Sequence, residues 1–296
     1  MVTILLSTYN GEKYLEEQLD SLFSQTEDIQ VFARDDGSCD NTINILQEYM
    51  RQSKLDFYAD ENIGVAKSFL TLLKKAPPSE FYAFCDQDDV WDRDKLEIAI
   101  KYLKQHDGSI PLLYCSATRP VDENLNLIKV KTKKKKYKLT FGESLVLSLA
   151  SGCTFVFNYA LKKLFDDKDI NFISIHDWYI HKVAAACGKV IYDSVPHISY
   201  RQHNTNVIGY NKDTIFKKVK RFLFNTNKNN RYFDAISLRK NFFDNMSETD
   251  KKTVCLLTDY KKSFCDKRKL LRCKEIKTLS KKQNFKLYFT ILFGRL

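Results

Sequence analysis

Three carboxylates in four residues follow an apolar run in Phe84-Cys85-Asp86-Gln87-Asp88-Asp89-Val90-Trp91. Like charges this close repel one another, so the cluster is costly unless water solvates it or a cation sits in it. Carboxylate oxygens suit Mg²⁺ or Mn²⁺, which bind substrate phosphates through one or two such groups. Taken alone, the residues fit a solvated loop equally well, with Asp89 or Asp92 capping the next helix. A second acidic loop, Asp35-Asp36-Gly37-Ser38, has the composition of a common turn. A carboxylate there can also accept from the N3–H of a pyrimidine. His176-Asp177-Trp178 combines an imidazole, a candidate general base and an aromatic wall for a sugar. The competing reading is a helix N-terminus with Asp in its first turn. His203, in Tyr200-Arg201-Gln202-His203-Asn204, could ligate a metal, touch a phosphate, or do neither.

The elements that must position these residues alternate along the first 105 positions. Val2–Leu6, Ile29–Ala33, Leu55–Tyr58 and Phe81–Cys85 are short apolar runs, as in strands buried on both faces. Between them, Leu15, Leu19, Leu22 and Phe23 fall at helical spacing. So do Ile43, Leu46, Tyr49 and Met50, behind a cap at Asp40 or Asn41. Val65–Lys75 and Asp92–Gln105 read as two further helices. This order implies an α/β fold with a parallel sheet, right-handed crossovers and helices on both faces. Ligands of such sheets lie outside the carboxyl ends of the strands. That rule picks out Ser7–Gly11, Asp35–Asp40 and Asp86–Trp91. Farther on, strands are expected at Leu112–Thr118, Cys153–Phe157 and Val190–Tyr192, a helix at Asp177–Cys187, and a basic loop at Lys131–Lys138. From Asn211 the chain reads as helices: Thr214–Phe224, Tyr232–Phe243, Thr249–Phe264 and Phe285–Phe293. Ser247 and Asp250 form a capping pair.

The chain has 296 residues, 44% hydrophobic, which excludes an intrinsically disordered protein. Its net charge of +11 is unevenly placed. Residues 1–210 hold 25 Lys/Arg against 29 Asp/Glu, and residues 211–296 hold 23 against 8. No signal peptide is read at the N-terminus, and the eight scattered Cys contain no CxxC pair. Free thiols in a reducing cytoplasm are the expectation. The uncharged stretch between Glu143 and Lys162 is broken by Ser151-Gly152, so a buried helix, turn and strand are expected rather than a membrane span.

In order along residues 1–210, the chain carries Leu5-Leu6-Ser7-Thr8-Tyr9-Asn10-Gly11, Arg34-Asp35-Asp36-Gly37-Ser38, Asn62-Ile63-Gly64, Cys85-Asp86-Gln87-Asp88-Asp89-Val90-Trp91, Ser151-Gly152-Cys153, His176-Asp177-Trp178-Tyr179 and Tyr200-Arg201-Gln202-His203-Asn204. Each motif is weak alone, but the ordered set resembles the inverting glycosyltransferases of family 2, with their GT-A-type nucleotide-sugar-binding fold. The Asp-Gln-Asp-Asp-Val-Trp, His-Asp-Trp and Tyr-Arg-Gln-His forms look most like bacterial rhamnosyltransferases of cell-surface polysaccharide assembly. The resemblance implies a catalytic domain over 1–210 and a basic helical region over 211–296. Ser7, Tyr9 and Asp36 would hold the base and ribose, with Thr8 and Asn10 in the same donor-binding strand end. Asp86-Gln87-Asp88 would be the DxD motif. Asp88 and His203 would ligate Mn²⁺ or Mg²⁺, Lys67 and Arg201 would touch the diphosphate, and Asp177 would be the catalytic base. Gly152, Cys153, His176 and Trp178 would line the acceptor side. Cys153 departs from a family pattern that often has a second Gly.

The implied reaction moves a sugar, with rhamnose from dTDP-rhamnose the first choice, onto an undecaprenyl-linked or polysaccharide acceptor. A UDP-hexose such as UDP-galactose or UDP-glucose is the alternative donor. The non-enzyme alternative is an inactive nucleotide-sugar-binding module. The tail interleaves cations and aromatics in Phe216–Phe222, Lys267–Arg272 and Lys286–Phe293, the composition of helices that lie on anionic membranes. The protein is therefore expected to be cytoplasmic and peripheral on the inner membrane face. Helices simply packed on the catalytic domain are the other reading. Nucleic-acid binding through the tail is disfavoured, because the acidic Asp86–Asp89 cleft repels phosphate unless a metal is present.

Overall fold

The computed structural model describes residues 1–129, 137–147, 150–170, 173–203, 230–278 and 280–296. The expected helix Thr214–Phe224 and most of the basic loop Lys131–Lys138 lie outside them. Eight strands form one sheet: β1 (Val2–Thr8), β2 (Ile29–Asp35), β3 (Leu55–Ala59), β4 (Phe81–Cys85), β5 (Val90–Trp91), β6 (Leu112–Val121), β7 (Val156–Asn158) and β8 (Lys189–Arg201). The spatial order is β3-β2-β1-β4-β7-β6-β8-β5. The β1–β2, β1–β4, β2–β3 and β6–β8 pairs are parallel. β7 runs antiparallel to both its neighbours, and β5 runs antiparallel to β8. The central sheet is thus mostly parallel, as expected.

The crossover helices are α1 (Leu15–Phe23), α2 (Thr42–Arg51), α3 (Val65–Lys75) and α4 (Lys95–Leu103). Alternation along the strands divides the core in two. Ile4, Leu6, Ala83 and Cys85 face one side, with Leu15, Leu46 and Leu96. Leu5, Tyr82 and Phe84 face the other, with Phe69 and Leu73 of α3. Later come α5 (Phe141–Ser144), α6 (Tyr159–Lys163) and α7 (His176–Cys187). The C-terminal helices are α8 (Asn230–Phe242), α9 (Glu248–Asp259), α10 (Phe264–Arg272) and α11 (Lys281–Leu292). Ala235, Leu238 and Phe242 of α8 and Leu257 of α9 share the second core with Phe165, Tyr179 and Val183. The C-terminal helices therefore rest on the α7 side of the body.

Several boundaries differ from the sequence reading, three of them near the candidate site or in the C-terminal helices. Cys153 lies in a 3-10 turn, Gly152–Thr154, and the strand begins only at Val156. The expected helix Thr249–Phe264 is two helices, because the Ser263 side chain accepts from Asp266 N and restarts the coil at Phe264. β8 runs on to Arg201, past bulges opposite Ser116 and Ala117. The Ser247–Asp250 cap is present at the start of α9. No described helix is long and apolar enough to cross a membrane.

Candidate active site

Thr8 of β1 lies opposite Asp35 of β2, and Leu6 lies opposite Cys85 of β4. β1 and β2 therefore end level and β4 two residues earlier, so the three polar loops emerge side by side. The first two loops lock together. Asp35 is fully buried and accepts from Thr8 Oγ1 at 2.8 Å, Ser38 Oγ at 2.6 Å, Ser38 N at 2.8 Å and Gly37 N at 3.1 Å. Asp36 accepts from Ile63 N and Gly64 N, each at 2.9 Å, and pairs with buried Arg34. Three donors thus already converge on Asp36, out of about four that a carboxylate takes. Asn10 N donates to Ser38 Oγ, and Asn10 Oδ1 accepts from Cys39 N, both at 2.8 Å. Ser7 and Ser68 hydroxyls lie 2.6 Å apart, at the start of α3. Tyr9 is exposed beside them, and Lys67 is exposed on the first turn of α3.

The third loop is held from both ends. Gln87 Oε1 accepts from Tyr9 N at 2.8 Å, and Gln87 Nε2 donates to Tyr9 O at 3.0 Å. A Cβ on Gly11 would stand 2.3 Å from Gln87 Oε1, so only Gly lets this strut close. Arg201, at the end of β8, donates from its backbone N to Asp89 Oδ1 at 3.0 Å and from Nε to Asp88 O at 2.8 Å. Its guanidinium also pairs with Glu17. Arg201 is nearly fully buried, so the structure gives it the task of shaping the acidic loop. His203 Nε2 lies 2.7 Å from Asp88 Oδ2, with its ring against Tyr14. The two residues expected to share a metal are therefore in contact.

Asp86, Asp89 and Cys153 offer ligand atoms within 4.8 Å of one another. Asp89 is fully buried, and its Oδ2 has no hydrogen-bonding nitrogen or oxygen among the described residues. Burial, with the neighbouring Asp88 and Asp177 charges, pushes the Asp86 carboxyl up to about 8. Burial and the same kind of repulsion raise Asp89 well above the ordinary range. Beneath them, Lys95 Nζ sits 3.1 Å over the Trp91 ring, and burial lowers it to about 8. The two carboxylates, one with an orphaned buried oxygen, fit a hard divalent cation, which the neighbouring Cys153 thiol does not suit.

Asp177 stands on the first turn of α7, 6% exposed. It accepts from Trp178 N at 2.6 Å and from Gly152 N at 3.2 Å. Burial pushes it up to about 6, against the pull of those two N–H groups and of Lys182. A Cβ on Gly152 would stand 2.7 Å from His176 Nε2 and 3.0 Å from Asp177 Cβ, so this loop also needs Gly. His176 is stacked on Phe69 at 4.0 Å and edge-on to Phe84, and burial lowers it to about 3. It is a packing member beneath Gly152. Cys153 points to Asp86 and Asp89 in the core. Trp178 remains half-buried at the surface of α7.

Asp35, Arg34, Ser68, Asp89 and Lys95 complete the constellation without having been singled out as site residues. A charged residue at the last position of an apolar strand was a signal for Arg34 and Asp35. Nothing in the spacing marked Lys95, whose neighbours are a helix face like any other.

Residues 3–165 match the family described as Glycosyl transferase family 2. A dTDP-rhamnosyl transferase from Shigella flexneri is 31% identical over 224 residues, covering 70% of this chain and 74% of that one. An uncharacterised glycosyltransferase from Rickettsia typhi is 27% identical, over 69% of this chain and 64% of its own length. Among solved structures, S. aureus TarS 1–349 in complex with UDP-GlcNAc superposes with a TM-score of 0.59 over 98% of this chain and 81% of that one, at 19% identity.

Proposed function

Since this chain belongs to glycosyl transferase family 2, we propose that it is a metal-dependent inverting transferase. It carries a sugar from a nucleoside diphosphate to a lipid-linked or polysaccharide acceptor of a bacterial surface glycan. The observation that carries this reading is one juxtaposition. Gly152 N donates to Asp177 at 3.2 Å, and the next residue, Cys153, has its thiol within 4.8 Å of Asp86 and Asp89, so Asp177 and the acidic cluster flank one short turn, near enough for the Asp177 charge to help raise Asp86. A base on one side and a cation site on the other is what single displacement at an anomeric carbon requires.

Asp177 takes the proton of the acceptor hydroxyl as its oxygen attacks the anomeric carbon. The bond from that carbon to the diphosphate oxygen breaks, and the electron pair leaves with the nucleoside diphosphate. Asp86, Asp88, Asp89 and His203 would hold Mn²⁺ or Mg²⁺. When bound, such an ion supplies Lewis-acid neutralisation of the leaving diphosphate. The loops of Ser7–Asn10 and Asp35–Ser38 give the nucleotide a rigid floor. Hydrogen bonds between the two loops hold them without a ligand, so binding costs little reorganisation.

The Shigella relative supports rhamnose from a dTDP carrier as the first donor to test. The UDP-GlcNAc complex of TarS, alike in fold only, keeps UDP-hexoses in the panel. A donor panel with Mn²⁺ or Mg²⁺, scored by nucleoside diphosphate released, decides between them. No turnover with any donor and acceptor would mean an inactive sugar-nucleotide-binding module.

We place the catalytic unit at 1–210 and a membrane-facing unit at 211–296. α11 supports the second assignment. Leu287 and Ile291 are buried, while Phe285, Phe289 and Phe293 form an outward stripe with rings 4.9 and 6.0 Å apart. Phe285 and Phe293 are each 64% exposed, and Lys281, Lys282 and Lys286 flank them. Apolar rings between lysines suit an anionic lipid surface.

A further inference from the structure

Tyr14 lies outside the three polar loops, yet side chains that shape the acidic loop gather on its ring. The His203 imidazole is 5.1 Å from it between centroids, tilted by 31°. The Arg201 guanidinium carbon is 4.5 Å from its centroid, and Lys13 Nζ is 4.8 Å from it. Its hydroxyl lies beside the Lys13–Glu123 pair, which closes at 2.7 Å. The residue is only half-buried, so it adds little to the core.

The donor loop sets the backbone of Tyr14. Tyr14 N donates to Gly11 O at 3.1 Å, and Tyr14 O accepts from Gln18 N at 3.0 Å as α1 begins. Gly11 is the residue against which Gln87 closes. Arg201 is anchored by its own bonds. Its N meets Asp89 Oδ1 at 3.0 Å, its Nε meets Asp88 O at 2.8 Å, and its other two nitrogens meet Glu123 O and Glu17. It is a fixed wall for the Tyr14 ring. His203 is placed differently. The β6–β8 ladder ends at Arg201, and Gln202 N donates to Val121 O at 2.8 Å. His203 is the first residue past those bonds, with Nε2 2.7 Å from Asp88 Oδ2. A side chain there keeps one ring plane only if a surface limits its rotamers.

We propose that Tyr14 is a positioning residue for the cation site. Its ring fixes the plane of the His203 imidazole and so keeps Nε2 turned to Asp88, 115 positions away in the chain. The ligand set thereby takes its register from the donor loop, through Gly11, Tyr14 and His203. Imidazoles that bind metals depend on an outer partner to orient them. Here a stacked aromatic ring does so. The task belongs to the ring and not to the hydroxyl, whose neighbours Lys13 and Glu123 already pair with each other. The proposal rests on reading Asp88 and His203 as cation ligands.

Titration of the full chain with Mn²⁺, read by the electron spin resonance of the free ion, tests this without turnover. Tyr14→Leu should weaken Mn²⁺ binding by about tenfold or more, as for a lost outer partner. Tyr14→Phe should stay within about twofold of wild type, because an exposed ion pair is worth little. In a His203→Ala background, where only the carboxylates remain, Tyr14→Leu should add almost nothing, since residues acting through one contact are not additive. Tyr14→Met replaces Tyr14→Leu if the latter does not fold. Equal affinity in Tyr14→Leu and wild type overturns the proposal. So does an equal loss in Tyr14→Phe, or a full further loss in the His203→Ala background, which would route the effect through Arg201. Those outcomes leave the cation reading standing. A wild-type chain that takes up no Mn²⁺ overturns that reading and the proposal with it.

Discussion

Two acidic loops of this protein are in opposite states. Asp35-Asp36-Gly37-Ser38 and Asp86-Gln87-Asp88-Asp89 both follow buried strands, and both crowd carboxylates. In the first, Asp35 takes four hydrogen bonds and Asp36 takes three donors, one of them the Arg34 guanidinium. In the second, the loop backbone is tied down by Arg201, yet Asp89 keeps an orphaned oxygen and Asp86 is driven up to about 8. Acidic composition therefore says little. Satisfaction separates a scaffold from a site, because an unpaired buried carboxylate persists only where something else can neutralise it.

The largest effect should come from the group that faces the second loop. Asp177→Asn should lower transfer by about 10²–10⁴-fold while leaving nucleotide binding intact, as read by turnover and by nucleotide titration. The same variant should be no less stable than wild type at pH 7. A carboxyl raised to about 6 costs stability above that pH, when it must ionise, and Asn removes the cost. A lower melting temperature at pH 7 would assign Asp177 to structure instead.

Next in size is removal of the proposed metal or of a residue proposed to hold it. Chelation with EDTA, or Asp88→Ala, should weaken nucleoside diphosphate binding by about 10–100-fold, the range expected for a damaged metal site. It should leave the melting temperature of the metal-free protein nearly unchanged. Asp35→Ala should do the reverse. It strands two hydroxyls and two backbone N–H groups, at a cost of about 3 kcal/mol, measurable by urea denaturation without any metal. If the two variants behave alike, the contrast between the loops is false.

A pH profile sharpens the point further. Acting as the proposed base, Asp177 would have to be ionised, so the rate should fall about tenfold per pH unit below about 6 and level off above it. The smallest effect lies farthest away. Each of Lys281→Ala and Lys286→Ala should reduce binding to anionic vesicles by about fivefold, near 1 kcal/mol per cation, with transfer to a soluble acceptor unchanged. A loss of solution activity would instead make α11 part of the catalytic body.

The alternation of apolar runs and helical spacings was enough to place β1 to β4, α1 to α4 and the three loops at their carboxyl ends. These features are local and periodic, and a parallel sheet admits few arrangements of them. The order of the motifs also pointed to Asp177, Asp88 and His203 as candidates, and the structure brings the last two into contact. Individual roles were less legible. Arg201, expected at the diphosphate, is enclosed under the acidic loop. His176 and Cys153, expected on the acceptor side, are packed in the core. The Asp92–Arg119 pair similarly holds a residue that looked like a helix cap.

The sequence by itself determined β1 to β4 with their crossover helices, the acidic loops at the strand ends and the basic C-terminal third, because strand, helix and charge patterns are written in near neighbours. Only the tertiary structure decided which carboxylates are satisfied. Asp36 finds Ile63 and Gly64, Asp89 finds Arg201 across 112 positions, and Asp177 finds Gly152. Hydrogen-bond satisfaction depends on groups that meet only when distant segments fold together, so no local pattern can display it.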